Sequence, residues 1–209
     1  MVLSSPSGGG KTSIAQRLVA ARSDVQYSVS ATTRSQRDGE TEGQSYCFLS
    51  RPDFEREVAA GAFLEWAEYG GNLYGTLKRE VLRGRAAGRH VVLDIEVKGA
   101  DQLRLADPES VRIFVLPPSG AELIKRLEGR RTESEAAIAR RLAIASDEVG
   151  AASRYDYVVI NDDLTVATAQ VGAIIDVECR RPARLKGLDP VIAELRLSLA
   201  NRTSGLNRS

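Results

Sequence analysis

The residues best suited to chemistry stand near the start of the chain, in the glycine-rich segment 5–12. The segment matches the phosphate-binding loop (P-loop) pattern GxxxxGK[ST], except that Ser5 takes the place of the first glycine. Three consecutive glycines let backbone N–H groups converge on phosphate oxygens, while Lys11 can reach the β- and γ-phosphates and Thr12 can ligate Mg²⁺. The alternative is a flexible glycine turn, which the strand before it and the amphipathic helix after it disfavour. We therefore predict a phosphate-binding loop built from Ser5, Pro6, Ser7, Gly8, Gly9, Gly10, Lys11 and Thr12.

A second group of cations and hydroxyls lies in the segment 28–46, which reads SVSATTRSQRDGETEGQSY. Arg34 and Arg37 are three residues apart beside hydroxyl side chains and a turn, so they form a fork suited to holding a phosphate. Taken alone, two arginines on a loop are more often a solvated surface. Tyr46 and Tyr74 are equally ambiguous on their own, because tyrosines can simply pack against their neighbours.

Among the remaining polar residues, Asp94 is the one whose position favours a functional site. It ends a buried strand, where a carboxylate is unfavourable unless it is paired. Glu65 stands next to Trp66, and by itself this predicts only an exposed strand residue. His90 is the single histidine, and we assign it no catalytic role. Arg141 lies on a predicted helix and would ordinarily be solvated.

Strand and helix patterns alternate along much of the chain, which predicts a parallel sheet covered by helices on both faces. Buried strands are predicted from β-branched runs at residues 91–95, 111–116 and 157–160. Helices are predicted over residues 12–22 and 119–127, the second opening with a Ser119/Glu122 capping box. Only three residues precede Ser4, so the strand before the glycine-rich loop has about half the usual length. Either that strand is short or residues are missing from the start of this sequence.

Three other segments depart from this alternation. Residues 29–74 combine short strand-like pieces, turns and one small helix after Ser50, which predicts a β-rich insertion. Residues 129–135 carry charge without apolar periodicity, and we predict a mobile loop there between two helices. After Arg180 we predict one helix over residues 191–199 and a frayed polar end over 201–209.

Composition excludes several classes of protein. The 209 residues suit one α/β domain with insertions, and 43% hydrophobic residues are enough for a sizeable core. A net charge of +1 argues against a general nucleic-acid or membrane-surface binder. Cys47 and Cys179 have no metal-binding spacing and predict two reduced thiols. No segment has the pattern of a membrane span or a signal peptide, so we expect a soluble, cytoplasmic protein.

The segment 28–46 resembles the signature SxSxTTRxxRxGExxGxxY of the guanylate kinases, a family of P-loop nucleoside monophosphate kinases. The resemblance continues through EWAEYGGNLYGT at 65–76, LDIE at 93–96, RLEGR at 126–130 and NDD at 161–163. The motifs keep the order of the family over about residues 3–178. The chain is therefore identified as a member of that family.

The resemblance implies both a fold and a reaction. The fold is a P-loop three-layer α/β/α domain with a parallel central sheet, a GMP-binding insertion and a mobile lid. The core would comprise about residues 1–29, 77–126 and 138–180, the insertion 30–76, the lid 127–137 and a helical tail 181–209. The reaction transfers the γ-phosphate of ATP, bound with Mg²⁺, to GMP or also dGMP. The products are ADP and GDP.

The resemblance also implies a role for each residue that matches a family motif. Arg34 and Arg37, helped by Tyr46 and Tyr74, would hold the phosphate of GMP. The guanine would be held by Ser30, Glu65, Thr76 and Glu96, with Glu65 as the main contact and the two hydroxyls facing the acceptor edge of the ring. Lys11, Arg130 and Arg141 would neutralise the transferring phosphoryl group. Asp94 would lie near Mg²⁺ with Thr12, and Asn161 beside the adenine.

The sequence departs from the family pattern at four positions. Glu96 stands where the family usually has aspartate and Lys98 where it has glutamine, which changes the reach of a carboxylate and the local charge. Arg131 replaces a common glycine in the lid, and Gln36 replaces a proline between the two phosphate arginines. None of these changes removes a charge that the chemistry requires.

Two other functions stay open at this point. Guanylate-kinase-like domains of scaffold proteins keep the fold but typically lose residues of the phosphate loop and lid, whereas this chain keeps Lys11, Thr12, Arg130 and Arg141. A kinase for another nucleoside monophosphate or a ribose phosphate is the nearer rival. The set Ser30, Glu65 and Thr76 favours guanine.

Overall fold

The computed structural model describes residues 1–128 and 135–206, without the side chains of residues 135–138 and 204–206. Its described residues form two compact units, Met1–Gly172 and Ala173–Ser209, each considered by itself below. The strands are β1 (Val2–Ser4), β2 (Val25–Tyr27), β3 (Ala31–Thr32), β4 (Cys47–Phe48), β5 (Phe63–Tyr69), β6 (Asn72–Leu77), β7 (His90–Asp94), β8 (Arg112–Leu116) and β9 (Tyr157–Ile160). The α-helices are α1 (Lys11–Ala21), α2 (Arg51–Ala59), α3 (Lys78–Ala86), α4 (Val97–Ala106), α5 (Gly120–Glu128), α6 (Glu135–Gly150), α7 (Leu164–Glu178) and α8 (Leu188–Leu206).

The core of the first unit is a five-stranded sheet in the order β2-β7-β1-β8-β9. Every neighbouring pair is parallel, and the three strands predicted from β-branched runs are β7, β8 and β9. This confirms the predicted α/β class with a parallel central sheet. Strand β1 is three residues long, as short as expected, yet it pairs with β7 on one side and β8 on the other. The phosphate loop therefore follows the central strand.

The β-rich segment forms a second sheet of four strands, in the order β4-β3-β6-β5. The small helix predicted after Ser50 is α2, where the Ser50 hydroxyl accepts the N–H of Asp53 as an N-cap. Phe54 of α2 stacks on Phe63 of β5 with ring centroids 4.4 Å apart, inside a cluster of buried apolar side chains. This sheet thus has a hydrophobic core of its own.

Helix α4 connects the second sheet to the first. The side chain of Gln102 accepts the backbone N–H of Trp66 at 3.1 Å and donates to its carbonyl at 2.8 Å, so it pairs with β5 as a strand would. Ala100 and Leu103 of the same helix are buried in the cluster under β7. Because α4 also begins right after β7, it holds β5 beside the carboxyl end of the parallel sheet.

Helix α5 begins at Gly120, one residue after the predicted start. Of the two hydrogen bonds that the predicted capping box would make, the structure has the one from the N–H of Glu122 to Ser119. The Ser119 hydroxyl accepts the N–H of Glu122 at 3.2 Å, but the Glu122 carboxylate accepts from Arg126 at 2.8 Å. An i,i+4 ion pair has therefore replaced the second bond of the box. The predicted mobile loop of residues 129–135 lies outside the described residues except for Glu135, which begins α6.

The second unit corrects the prediction for the tail. Helix α8 begins at Leu188, three residues before the predicted start, and continues to Leu206. The prediction that the chain frays from residue 201 is therefore wrong for 201–206. Polar composition was a poor guide because a helix needs only backbone hydrogen bonds to continue, and Asn201, Arg202 and Thr203 all accept helical geometry. No helix within residues 1–128 and 135–206 has the length and apolarity that crossing a membrane needs.

Candidate active site

The phosphate loop turns sharply between β1 and α1 on two glycines. Gly8 and Gly10 have φ of 84° and 94°, in the left-handed region that residues with a Cβ rarely adopt. Ser5 is buried at the first position of the loop, and a Cβ on Gly9 would lie 2.6 Å from the Cβ of Ser5. The side chain of Ser5 thus fits because Gly9 has none, which explains why the loop tolerates a serine in place of its first glycine.

Asn161, which follows β9, supports the loop from the side. It is buried, and its Nδ2 donates to the carbonyl of Gly9 at 3.0 Å. A Cβ on Gly10 would come within 2.2 Å of the same nitrogen. The sequence placed Asn161 beside the adenine; in this structure its amide donates to the loop. This hydrogen bond from Asn161 therefore stabilises the shape of the loop.

Lys11 lies among carboxylates at the start of α1. Its Nζ lies 2.8 Å from Oε1 of Glu96 and 3.6 Å from Oδ1 of Asp94. Burial disfavours the charged ammonium, but the carboxylates of Glu96 and Asp94 outweigh this effect and raise the pKa of Lys11. Lys11 is therefore held charged beside the loop.

Thr12 and Asp94 come together as the sequence predicted. The Thr12 hydroxyl donates to Oδ2 of Asp94, while the buried Oδ1 accepts no hydrogen bond within the part of the chain that the structure describes. Burial raises the pKa of Asp94, against the opposing effects of Lys11 and Thr12. A hydroxyl and a carboxylate oxygen without a hydrogen bond suit a hard cation, so these two residues fit Mg²⁺.

Glu148 of α6 is a member of the site that the sequence analysis missed. Its Oε2 accepts the backbone N–H of Ser7 at 3.0 Å. Burial raises the pKa of Glu148, the N–H of Ser7 opposes this, and the carboxylate of Glu96 raises it further. No local signal could have found this residue, because a glutamate near the end of a helix is usually a solvated side chain.

Arg34, Tyr46 and Tyr74 come together at the second sheet. The guanidinium of Arg34 lies 5.2 Å from the centroid of the Tyr46 ring, and the rings of Tyr46 and Tyr74 are 6.1 Å apart. The fork of Arg34 holds both oxygens of Glu40, at 3.0 and 2.6 Å, which the sequence did not predict. That hydrogen bond lowers the pKa of Glu40. Arg37 is exposed, and its backbone N–H also donates to Glu40.

Glu65 and Thr76 form a buried pair on adjacent strands of the second sheet. Only 6% of Glu65 is exposed, and the Thr76 hydroxyl donates to its Oε1 at 2.6 Å. Burial raises the pKa of Glu65, and the hydrogen bonds from Thr76 oppose the shift. The hydroxyl of Thr76 therefore donates its proton to Glu65 and does not point it at a ligand. Ser30 is half-buried near the start of β3, where its carbonyl accepts the N–H of Cys47.

A glycine that the sequence analysis did not single out makes room for Glu65. A Cβ on Gly99 would lie 2.4 Å from Oε2 of Glu65. The carboxylate therefore lies against the first turn of α4, whose free N–H groups favour negative charge. A glycine inside an amphipathic helix is itself a signal of such a close approach.

Glu96 does not contact Glu65, although the sequence analysis assigned both carboxylates to the guanine base. Its side chain is 48% exposed and points to Lys11. The extra methylene that distinguishes Glu96 from aspartate gives it this reach. Arg141 of α6 donates from Nη1 to the carbonyl of Leu127 at 3.0 Å, at the end of α5. Arg130 and Arg131 lie outside the described residues.

The phosphate loop, the second sheet and the carboxylates of Asp94 and Glu96 belong to one compact unit, and comparison with known proteins shows the family to which the chain belongs. A family model described as guanylate kinase matches residues 1–178.

The chain belongs to the guanylate kinase family.

Individual members of the family are close in sequence. A guanylate kinase of Rubrobacter xylanophilus is 50% identical over 163 residues, which are 78% of this chain and 85% of the relative. One of Trichormus variabilis is 49% identical over 167 residues, or 80% of this chain and 84% of the relative. The crystal structure of guanylate kinase from Anaplasma phagocytophilum is similar with a TM-score of 0.75 and 31% identity, covering 92% of both chains.

Proposed function

We propose that this protein transfers the γ-phosphate of ATP to GMP and releases ADP and GDP. The observation that carries the proposal is the combination of two unlike sites in one unit. A phosphate loop places the ammonium of Lys11 beside Asp94, and a buried Glu65–Thr76 pair lies in the adjoining sheet. The family to which the chain belongs supports the same reaction.

The donor site is formed by the loop residues 5–12. Backbone N–H groups at the start of α1 and the ammonium of Lys11 bind the phosphates of ATP, because both are fixed positive charges directed at one place. Lys11 contacts Glu96, so ATP has to compete with that carboxylate for the ammonium. Thr12 and Asp94 would hold Mg²⁺, which neutralises charge on the phosphates when it is bound.

The acceptor site uses the segment 30–76, and Glu65 selects the base. Guanine presents N1–H and an exocyclic amine as adjacent donors, so an ionised carboxylate can accept both. Adenine presents a bare N1 acceptor to the same oxygens, and the contact becomes repulsive. Thr76 fixes the carboxylate through its hydroxyl, and Gly99 leaves the space that it occupies. In this proposal Ser30 contributes a hydroxyl, and Glu96 approaches the base only after it leaves Lys11.

The phosphate of GMP binds to Arg34, assisted by Arg37 and by the hydroxyls of Tyr46 and Tyr74. The carboxylate of Glu40 fills the fork of Arg34. A phosphate presents the same bidentate pair of oxygens, so it can take the place of that carboxylate. The rings of Tyr46 and Phe48, whose centroids lie 5.2 and 5.8 Å from the guanidinium, hold it in position.

Transfer then needs alignment and charge neutralisation more than acid–base chemistry. The phosphate oxygen of GMP is itself the nucleophile and is largely ionised near neutral pH, so no general base is required. Lys11 and Arg141, with Arg130 beyond the described residues, neutralise the moving phosphoryl group. Asn161 keeps the loop in the shape that presents its N–H groups.

A coupled assay of ADP formation with ATP and each of GMP, AMP, CMP and UMP tests the proposal. We expect turnover with GMP and a specificity constant for the other three that is lower by orders of magnitude. Turnover with a different acceptor in place of GMP would mean that the protein is a kinase for another nucleoside monophosphate. Binding of GMP without any turnover would mean that the protein is a scaffold that has kept the fold without the activity.

A further inference from the structure

Helix α6 contacts the phosphate loop through one carboxylate. The hydrogen bond from Ser7 N to Glu148 Oε2 measures 3.0 Å and joins residues 141 positions apart. On the far side of the loop, Asn161 donates to the carbonyl of Gly9 at 3.0 Å. The loop is thus held by one acceptor and one donor that come from different elements.

The face of α6 that carries Glu148 also carries Arg141. Arg141, Ala145 and Glu148 follow the spacing i, i+4, i+7 and project from one side of the helix. Ala145 is 2% exposed and packs in a cluster with Leu123 and Leu127 of α5. Since Arg141 donates to the Leu127 carbonyl, this one face bonds to α5 at one end and to the loop at the other.

Helix α5 also approaches the loop closely. A Cβ on Gly8 would be 3.7 Å from the side chains of both Leu123 and Leu127. The loop, α5 and α6 therefore pack as one assembly, in which the Glu148 hydrogen bond fixes the position of α6. Movement of α6 relative to the loop would have to break this bond.

We propose that Glu148 is a positioning residue for phosphoryl transfer: by bonding Ser7 it fixes α6 against the phosphate loop and so sets the distance from Arg141 to the phosphates that the loop binds. This rests on the proposed function. Glu148 does not touch substrate; it acts through the placement of Arg141. Misplacement of a catalytic group by about 1 Å lowers rates by about 10²-fold, so one hydrogen bond is sufficient for a measurable effect.

Two substitutions separate the reach of Glu148 from its charge, which matters because Lys11 and Glu96 lie within electrostatic range. Glu148→Gln keeps the length and an acceptor oxygen but loses the charge. Glu148→Asp keeps the charge but is one methylene shorter. Asp147→Asn is the matched control, since Asp147 is the exposed neighbour on the same helix.

Steady-state kinetics with ATP and GMP on the full chain decide between these roles. We expect Glu148→Asp to lower kcat by about 10- to 100-fold with the KM for GMP nearly unchanged. Glu148→Gln should lose less than Glu148→Asp, because it keeps the length and an acceptor oxygen for the N–H of Ser7, and Asp147→Asn should stay near wild type. A wild-type kcat in Glu148→Asp, or equal losses in Glu148→Asp and Glu148→Gln, would overturn the proposal. An inactive wild-type protein would instead refute the proposed function.

A double-mutant cycle tests whether Glu148 acts through Arg141. In the Arg141→Ala background we expect Glu148→Asp to change kcat by less than about threefold, because the group that it positions is already absent. If the two losses multiply, Glu148 acts independently of Arg141 and the proposal fails. The unchanged KM for GMP confirms in each variant that the acceptor sheet is folded.

Discussion

The proposed donor and acceptor halves of the site are built in opposite ways. The donor half is mostly backbone: glycines at positive φ and the first turn of α1, with the half-buried cation Lys11. The acceptor half consists of side chains fixed by other side chains, as in Thr76 on Glu65 and Glu40 on Arg34. Backbone N–H groups bind any phosphate, whereas a buried carboxylate distinguishes one base from another. Selectivity should therefore reside in the second sheet and turnover in the loop.

The largest effect should come from Glu65, the carboxylate that we propose selects the base. Glu65→Gln keeps the shape but replaces one acceptor oxygen with a donor, which leaves a guanine donor unpaired. Sites built on such pairs discriminate by about 10⁴ to 10⁵, and we expect most of the GMP-to-AMP ratio of specificity constants to be lost. Measurement of both constants for wild type and variant checks this. An unchanged ratio would place base recognition elsewhere.

On the donor side, Lys11→Met should lower turnover by at least about 10²-fold, the scale of one lost electrostatic group. The fold should survive because Asp94 and Glu148, whose pKa values are already raised, can take up protons when the ammonium is gone. The GMP-to-AMP ratio should not change, in contrast to Glu65→Gln. Wild-type turnover in a folded variant would contradict the role of Lys11.

For the acceptor phosphate we expect Arg34→Ala to raise the KM for GMP by about tenfold or more, with the KM for ATP unchanged. Arg37→Ala should have the smaller effect, since Arg34 is fixed against Tyr46 while Arg37 is exposed. Equal damage to the two Michaelis constants would mean that the segment is structural or belongs to the donor half.

A smaller change, Gly99→Ala, tests whether the space beside α4 matters. The new Cβ would fall 2.4 Å from Oε2 of Glu65, and the flexible end of that side chain has to move away. We expect a loss of GMP specificity of about tenfold, with stability unchanged or slightly lower, because the helix preference of alanine, about 1 kcal/mol, is offset by disturbance of the buried Thr76–Glu65 hydrogen bond, also worth about 1 kcal/mol. Gly120→Ala is the matched control, because nothing lies within 4 Å of its Cβ. If both variants behave alike, the position of Glu65 does not depend on Gly99.

The smallest expected effect is on stability, because ionisation of the buried Glu65 carboxylate lowers the free energy of unfolding. Burial raises its pKa, so the unfolded chain loses this proton at a lower pH than the folded one. The free energy of unfolding therefore falls as pH rises from the unfolded pKa to the folded pKa, and then levels off. Glu65→Gln removes this contribution, so its stability relative to wild type should increase with pH over that window. Denaturant titrations at several pH values measure it; a constant difference would contradict the linkage.

Local pattern predicted those parts of the fold that local sequence determines. Strand β9 was predicted to the residue and β7 and β8 within one, since strands of a parallel sheet are often continuous β-branched runs. The prediction that β9 is buried was wrong, because it is an edge strand and its Val158 and Ile160 are exposed. Strand β2 was missed because three residues of mixed polarity carry no periodicity. The end of α8 was misplaced because composition says little about where an exposed helix stops.

For the site, too, the features that local sequence determines were predictable and the long-range contacts were not. The loop residues were predictable from their motif, and the resemblance to the family implied that Thr12 and Asp94 lie near one another. The bonds of Glu148 to Ser7 and of Glu96 to Lys11 were not, since they depend on where distant helices and strands meet. Gly99 is the one missed residue with a local signal, a glycine within a helix.

The wide separation of the loop from its supports has a consequence for how the chain folds. Strand β1 comes early in the chain, but its partners β7 and β8 lie about 90 and 110 residues later, and Asn161 is 152 positions from Gly9. Pairings at such separations have to close long segments before they stabilise anything, which slows folding. The loop is thus synthesised before the strands that support it and acquires its working shape only after they have paired. Any intermediate that lacks β9 has the residues for phosphate binding without the supports that arrange them.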